Sequence, residues 1–180
     1  MNTHLVIAGL DDLKGLSALI VDLGKGENGF GGTAVAEGGL TLGEYLRFCD
    51  ETNSHRNLIA GDIPRSFFWL LDEADEAVGI VRMWHYLNDS LRERTGHISY
   101  YIRRDQRGKG YGREALRLGL RELASVGEKR GLLVADLDNL PSTKVILANG
   151  GKLESIGRGG NGKRYGRYWI KLKPVRKAFR

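Results

Sequence analysis

The stretch from His97 to Leu123 leaves this chain the fewest choices. His97 to Arg103 alternates, with Ile98, Tyr100 and Ile102 on one face, which predicts a β-strand. Arg104 to Gly112 is a basic loop with glycine at 108, 110 and 112. Beyond it, Ala115, Leu116, Gly119, Leu120 and Leu123 recur at helical spacing, and Arg113, Glu114, Arg117, Arg121 and Glu122 fall on the opposite face. Strand, glycine loop and amphipathic helix therefore follow one another without interruption.

That junction suits an anion. Glycines let backbone approach a ligand and turn its N–H groups inward. A helix start adds unpaired donors and a partial positive charge. Arg104, Arg107, Lys109 and Arg113 add full charges, and together these groups suit a diphosphate. The loop is not a Walker A loop, because no Gly-Lys-Ser/Thr occurs. It is not the dinucleotide fingerprint either, since the spacing is G-x-G-x-G and no repeated strand–helix–strand unit surrounds it.

The spacing Arg107-x-x-Gly110-x-Gly112 resembles motif A of the GNAT superfamily of N-acetyltransferases. The resemblance implies that the pyrophosphate of acetyl-CoA binds here, at Arg107, Gly108, Lys109, Gly110, Tyr111 and Gly112. A second landmark, Asp138-Asn139-Leu-Pro-Ser142 running into a helix that ends at Gly150, resembles the superfamily's N-x-x-A/S run. It implies that Asn139 and Ser142 meet the pantetheine arm, with Asn139 also suited to cap the helix. The strand ending at Tyr101 and Ile102 is the one whose backbone would pair with the pantetheine and donate to the thioester carbonyl. His85 to Asn88, Gly96 to Ile98 and Arg167 to Ile170 look like a branch of the superfamily described only as predicted acetyltransferases.

The rest of the chain fits that order. His4 to Ala8 reads as a first strand, and Asp11 or Asp12 as the cap of a helix carrying Leu13, Leu16, Leu19, Ile20 and Leu23. Gly24 to Gly39 reads as a long glycine-rich loop, with its ordering on ligand binding left open. Thr41 and Glu44 have capping-box spacing ahead of a second helix lined by Leu42, Tyr45, Leu46 and Cys49. Glu51 to Arg65 reads as irregular and Leu87 to Thr95 as a connector. Strands are expected at 66–71, 77–86, 132–136, 152–156 and 163–172, with a short helix at 141–148. The order β-α-α-β-β-β-α-β-α-β-β is that of the GNAT fold. The expected class is α/β (α+β), a mixed central sheet of about seven strands flanked by about four helices, as one domain over 1–180 with a basic extension at 173–180.

Charge is unevenly spread. The net charge is +6, yet residues 1–80 hold 13 acidic and 5 basic side chains while residues 81–180 hold 9 and 23. An acidic half and a basic half suit a cationic co-substrate and an anionic cofactor. The expected partner is a small-molecule or peptide amine; a homodimer is compatible with the sequence. Nucleic acid is a second reading of the basic half, without a helix-turn-helix, RNP or zinc pattern to support it. The single cysteine, Cys49, forms no internal disulfide and no cysteine metal site, so no metal is expected and a reducing cytoplasm is the default. The N-terminal apolar run is too short for a signal peptide, and no stretch reaches membrane-spanning length.

Acetyl transfer to an amine needs a polarised carbonyl, a base or water chain, and a proton for the leaving thiolate. His97 is the favoured base, because its strand carries a carboxylate base in some members of the superfamily; His85 on the neighbouring strand is second. Asp136 is an alternative base or amine anchor. Where many members carry a tyrosine beside the cofactor sulfur, this chain has Ile146. The acid is then Tyr165, Tyr100 or Tyr168, or none is used, since a thiol pKa near 8.5 makes a free thiolate tolerable. An acyl-CoA-binding module without turnover is the alternative that the missing tyrosine leaves open.

Overall fold

The computed structural model describes residues 2–174. Its elements are β1 (His4–Ile7), α1 (Leu16–Leu23), β2 (Gly26–Glu27), β3 (Phe30–Gly31), α2 (Leu42–Ser54), β4 (Arg65–Leu71), β5 (Ala77–Trp84), α3 (Asp89–Arg94), β6 (Ile98–Ile102), α4 (Tyr111–Ser125), β7 (Arg130–Asp136), α5 (Leu140–Ala148), β8 (Lys152–Arg158) and β9 (Arg164–Lys171). Residues 175–180 of the expected basic extension lie outside the described residues.

Two main antiparallel sheets form, in the orders β1-β4-β5-β6 and β7-β9-β8, beside the two-stranded sheet of β2 and β3. The first is buried on both faces, which alternation dictates. Phe68, Leu70, Val81, Met83, Ile98 and Ile102 face α4. Phe67, Trp69, Leu71, Ile80 and Tyr101 face α1 and α2. The apolar stripe of α4, from Ala115 to Leu123, fills the first of these cores.

The sheets meet only at the start of β6. There Gly96 bridges Leu133, and His97 N–H donates to Leu132 O at 2.8 Å. No further ladder joins β6 to β7 among the described residues, so the sheets part toward Ile102 and Asp136. The arrangement has the expected class; among the described residues it has nine strands and five α-helices where about seven and about four were expected, and separate antiparallel sheets in place of one continuous mixed sheet.

Local departures have local causes. Helix α1 begins at Leu16 behind Gly15, which is left-handed at φ 76°, so Asp11 and Asp12 cap nothing and Leu13 precedes the helix. Helix α2 starts on the capping box of Thr41 and Glu44 and runs on to Ser54, further than the irregular reading of that segment allowed. The connector after β5 holds α3, capped by Asn88, whose side chain accepts from Leu91 N–H at 2.9 Å. The glycine-rich segment is ordered: β2 and β3 pair as a hairpin around Asn28 and Gly29, both at positive φ (50° and 83°).

Candidate active site

A cavity of about 480 Å³ opens where the sheets part. The end of β6, the loop into α4 and the first turns of α5 form its walls, and the β2–β3 hairpin leans over it with Glu27, Asn28 and Phe30. Of the residues expected to hold the cofactor, Tyr101, Ile102, Arg107, Gly108, Gly110, Tyr111 and Gly112 line it, with Asn139 and Ser142 opposite. Lys109 does not; its ammonium donates to Gln106 Oε1 at 2.8 Å.

The loop is built to leave donors free. Gly108 (φ 77°) and Gly110 (φ 92°) occupy the left-handed region, where a side chain would be strained. Among the described residues no acceptor takes the N–H groups of residues 108–112. The first partner in this region is at Arg113, whose N–H donates to Gly110 O. Five successive unpaired donors thus sit at the positive end of a 15-residue helix. Arg107 is less free: Nε donates to Ile102 O at 3.0 Å, and its guanidinium pairs with Glu27.

Ile102 O therefore points off the free edge of β6. Backbone groups of alternate residues in an antiparallel strand point the same way, so Tyr100 presents its N–H and C=O to the gap as well. The Tyr100 ring lies under the start of α4, with Cε2 3.5 Å from where a Gly112 Cβ would stand. Its hydroxyl is buried beside Ser142 without a hydrogen bond of good geometry. Burial raises the Tyr100 pKa, and Ser142 offsets part of that. Asn139 Oδ1 accepts from Ser142 N–H at 3.3 Å, so Asn139 both caps α5 and lines the cavity.

Tyr101 faces the other side of β6. Its hydroxyl donates to Asp22 Oδ2 at 2.7 Å, and burial first, then Asp22, push its pKa up to about 12. Burial works to raise the Asp22 pKa as well. Hydrogen bonds from the Arg104 N–H, the Tyr101 hydroxyl and the Arg104 guanidinium outweigh burial and hold Asp22 below the usual carboxylate range.

The catalytic candidates lie elsewhere, and His97 needs correcting. It is 3% exposed at the junction of the sheets, and its Nδ1 accepts Leu132 N–H at 2.9 Å. Burial, with the charge of Arg92 adding to it, pushes the His97 pKa down to about 4. Such a ring is neutral, occupied and away from the cavity. His85 bonds Ser66 Oγ at 2.8 Å and packs edge-on against His55, also away from the cavity. Burial first, then His55, lower its pKa. Asp136 has Lys163 at 3.9 Å, and Tyr165 is buried across from it under the Arg94 guanidinium; neither lines the cavity. Ile146, 2% exposed, points into the core, so the position of the superfamily's tyrosine is closed here. Of the candidate acids, Tyr100 lines the cavity, although its hydroxyl is sealed beside Ser142. The hairpin residues were not anticipated, although Asn28-Gly29 is a strong short-range hairpin signal.

The family comparison shows an acyltransferase of the acetyl-CoA-dependent kind. The chain belongs to the GNAT acetyltransferase domain family, whose model matches residues 36–152. Its fold is similar to that of the GNAT-family acetyltransferase of Streptococcus pneumoniae (12% identity, TM-score 0.64, covering 96% of this chain and 100% of that one). It is also similar to a protein assigned as a phosphinothricin N-acetyltransferase (18%, 0.57, 96% and 99%). A third similar structure is a spermidine N-acetyltransferase chimera of Vibrio cholerae SpeG and hSSAT (18%, 0.52, 71% and 74%). No curated protein matches the chain. Among the described residues no helix is long and apolar enough to cross a membrane.

Proposed function

We propose that the chain transfers the acetyl group of acetyl-CoA to a primary amine of a small molecule or peptide, by direct attack within a ternary complex. The observation that carries this reading is the run of unpaired N–H groups at 108–112 opening onto the cavity. The pyrophosphate belongs on those donors, with Arg107 exchanging Glu27 for a phosphate oxygen. The pantetheine follows the free edge of β6 past Asn139 and Ser142, and Tyr100 N–H is the donor suited to the thioester oxygen. The amine nitrogen attacks the carbonyl carbon, the C–S bond breaks, and the sulfur leaves as thiolate. Water takes the ammonium proton, and Tyr100, the candidate acid that lines the cavity, would return a proton to sulfur by turning its sealed hydroxyl outward. Similar structures named for N-acetylation of phosphinothricin and of spermidine support nitrogen as the acceptor atom.

Calorimetry in EDTA tests the first half, with saturable acetyl-CoA binding expected. A screen of amines and peptides, with CoA release as readout, tests the second. Absence of binding at millimolar acetyl-CoA removes the reading, and binding without CoA release from any acceptor reduces it to an acyl-CoA-binding module.

A further inference from the structure

Resting on that reading, we propose that Arg82 is an oxyanion anchor for the acceptor, which is therefore an amine carrying a carboxylate a few bonds from its nitrogen. Arg82 lies on β5 directly across from Ser99 of β6, on the face that carries Tyr101. Cross-strand neighbours stand about 5 Å apart at Cβ, so its side chain starts beside the strand whose edge would hold the thioester. Arg82 does not itself line the cavity; Phe30 stands between the two places. Its ring has the Arg82 guanidinium 4.1 Å from its centroid, it packs 5.9 Å from Tyr101, and it lines the cavity.

The guanidinium lacks a counterion. Nη1 donates to Gly31 O at 2.7 Å and Nη2 to Tyr45 Oη at 3.3 Å, and Nε is buried with no partner at all. The arginines that pair with carboxylates among the described residues are Arg103, Arg104, Arg107, Arg117 and Arg167. Arg82 is held by dipoles and ring faces alone, which position a cation without neutralising it. With Nε sealed from solvent, the donors left for a carboxylate are the second N–H of each Nη, which an end-on bidentate pair would use. Arg65, stacked on Phe48, Phe67 and Trp84, lines a separate cavity together with Glu51 and Asp62.

The Arg82 charge disfavours a polycation. Asp22 and Glu76 are spent on Arg104 and Arg103, and Glu27, once Arg107 turns to phosphate, keeps Arg104 at 3.6 Å. On this face beside β6, Arg82 is a cation without a carboxylate partner.

The test compares α-amino acids with the matching α-amino amides, the matching decarboxylated amines, and spermidine. Binding to the CoA-loaded protein is read by calorimetry and turnover by CoA release. Carboxylated amines are expected to bind at least tenfold tighter than their amides. Arg82→Met should weaken that binding by roughly tenfold to a hundredfold, the worth of a charge-assisted pair, with acetyl-CoA affinity unchanged. Arg82→Lys, which keeps charge and stem, should fall between and guards against a misfolded Met variant. Equal binding of acids and amides, preference for spermidine, or indifference of acid binding to both variants overturns the proposal. Acid binding that depends on Arg82 without CoA release sustains the anchor and instead removes the transfer reading.

Discussion

His97 spends its ring on backbone. Its Nδ1 accepts the Leu132 N–H where the sheets join, so removing the imidazole strands a buried donor at a cost of about 1–3 kcal/mol. His97→Ala is expected to lower Tm while leaving kcat/KM nearly unchanged well below the melting range; a hundredfold fall in kcat/KM with an intact fold would restore it as a base. The pH dependence has a definite sign. The folded pKa is about 4 and the unfolded value about 6.5, so the unfolded chain takes the proton first. Stability is full above about pH 6.5 and falls as pH drops through about 4, by ~3 kcal/mol, and denaturant titrations should find that loss absent in His97→Ala. Tyr100 carries the opposite expectation. Tyr100→Phe should leave acetyl-CoA affinity intact and lower kcat tenfold or more, with the alkaline side of the kcat profile altered; unchanged kcat would mean the thiolate leaves unassisted.

At the scale of elements, the start of α4 was legible because glycine spacing, basic residues and a strong apolar stripe coincide within one short stretch. The Thr41–Glu44 box of α2 was legible for the same reason: its chemistry is local. The β2–β3 hairpin escaped because strands of two residues show no alternation, leaving Asn28-Gly29 as the one signal. The role of His97 escaped for a different reason. Alternation says which residues share a face, but the group beside His97 is Leu132, which only the meeting of β6 and β7 supplies. Gly110→Asp tests the helix start. It sets a side chain at φ 92° and a negative charge among unpaired donors, so calorimetry should detect no acetyl-CoA while circular dichroism stays native-like. Retained affinity would put the pyrophosphate elsewhere.

On the whole-molecule scale, the order of strands and helices was readable as a pattern, whereas the parting of the sheets was not, since no residue announces where a ladder stops. The charge asymmetry was visible, but its partners were not. Carboxylates from the first half close onto arginines of the second around the α1–β6 corner, so much of the imbalance is settled inside the fold. A ligand that fills the gap between sheets couples to global stability. At a hundred times its Kd, acetyl-CoA should add about 2.7 kcal/mol and raise Tm by about 5–10 °C. Scanning calorimetry should show the rise in wild type and its loss in Gly110→Asp.

The hairpin also sets how the protein ages. Asn28, Asn149 and Asn161 each precede a glycine, the pairing whose unhindered backbone nitrogen most readily closes on the side-chain amide and releases ammonia. Asn149 donates its amide to Arg113 O and Val145 O, and Asn161 Oδ1 accepts Lys163 N–H. Asn28 has no such tether among the described residues, and it stands at the mouth of the cavity beside Glu27. Stored preparations should therefore gain an aspartate at position 28 before 149 or 161, as peptide mass spectrometry would reveal. The new charge would lie where phosphate must pass, so acetyl-CoA affinity should decline with storage time, and freshly made Asn28→Asp should reproduce the aged material.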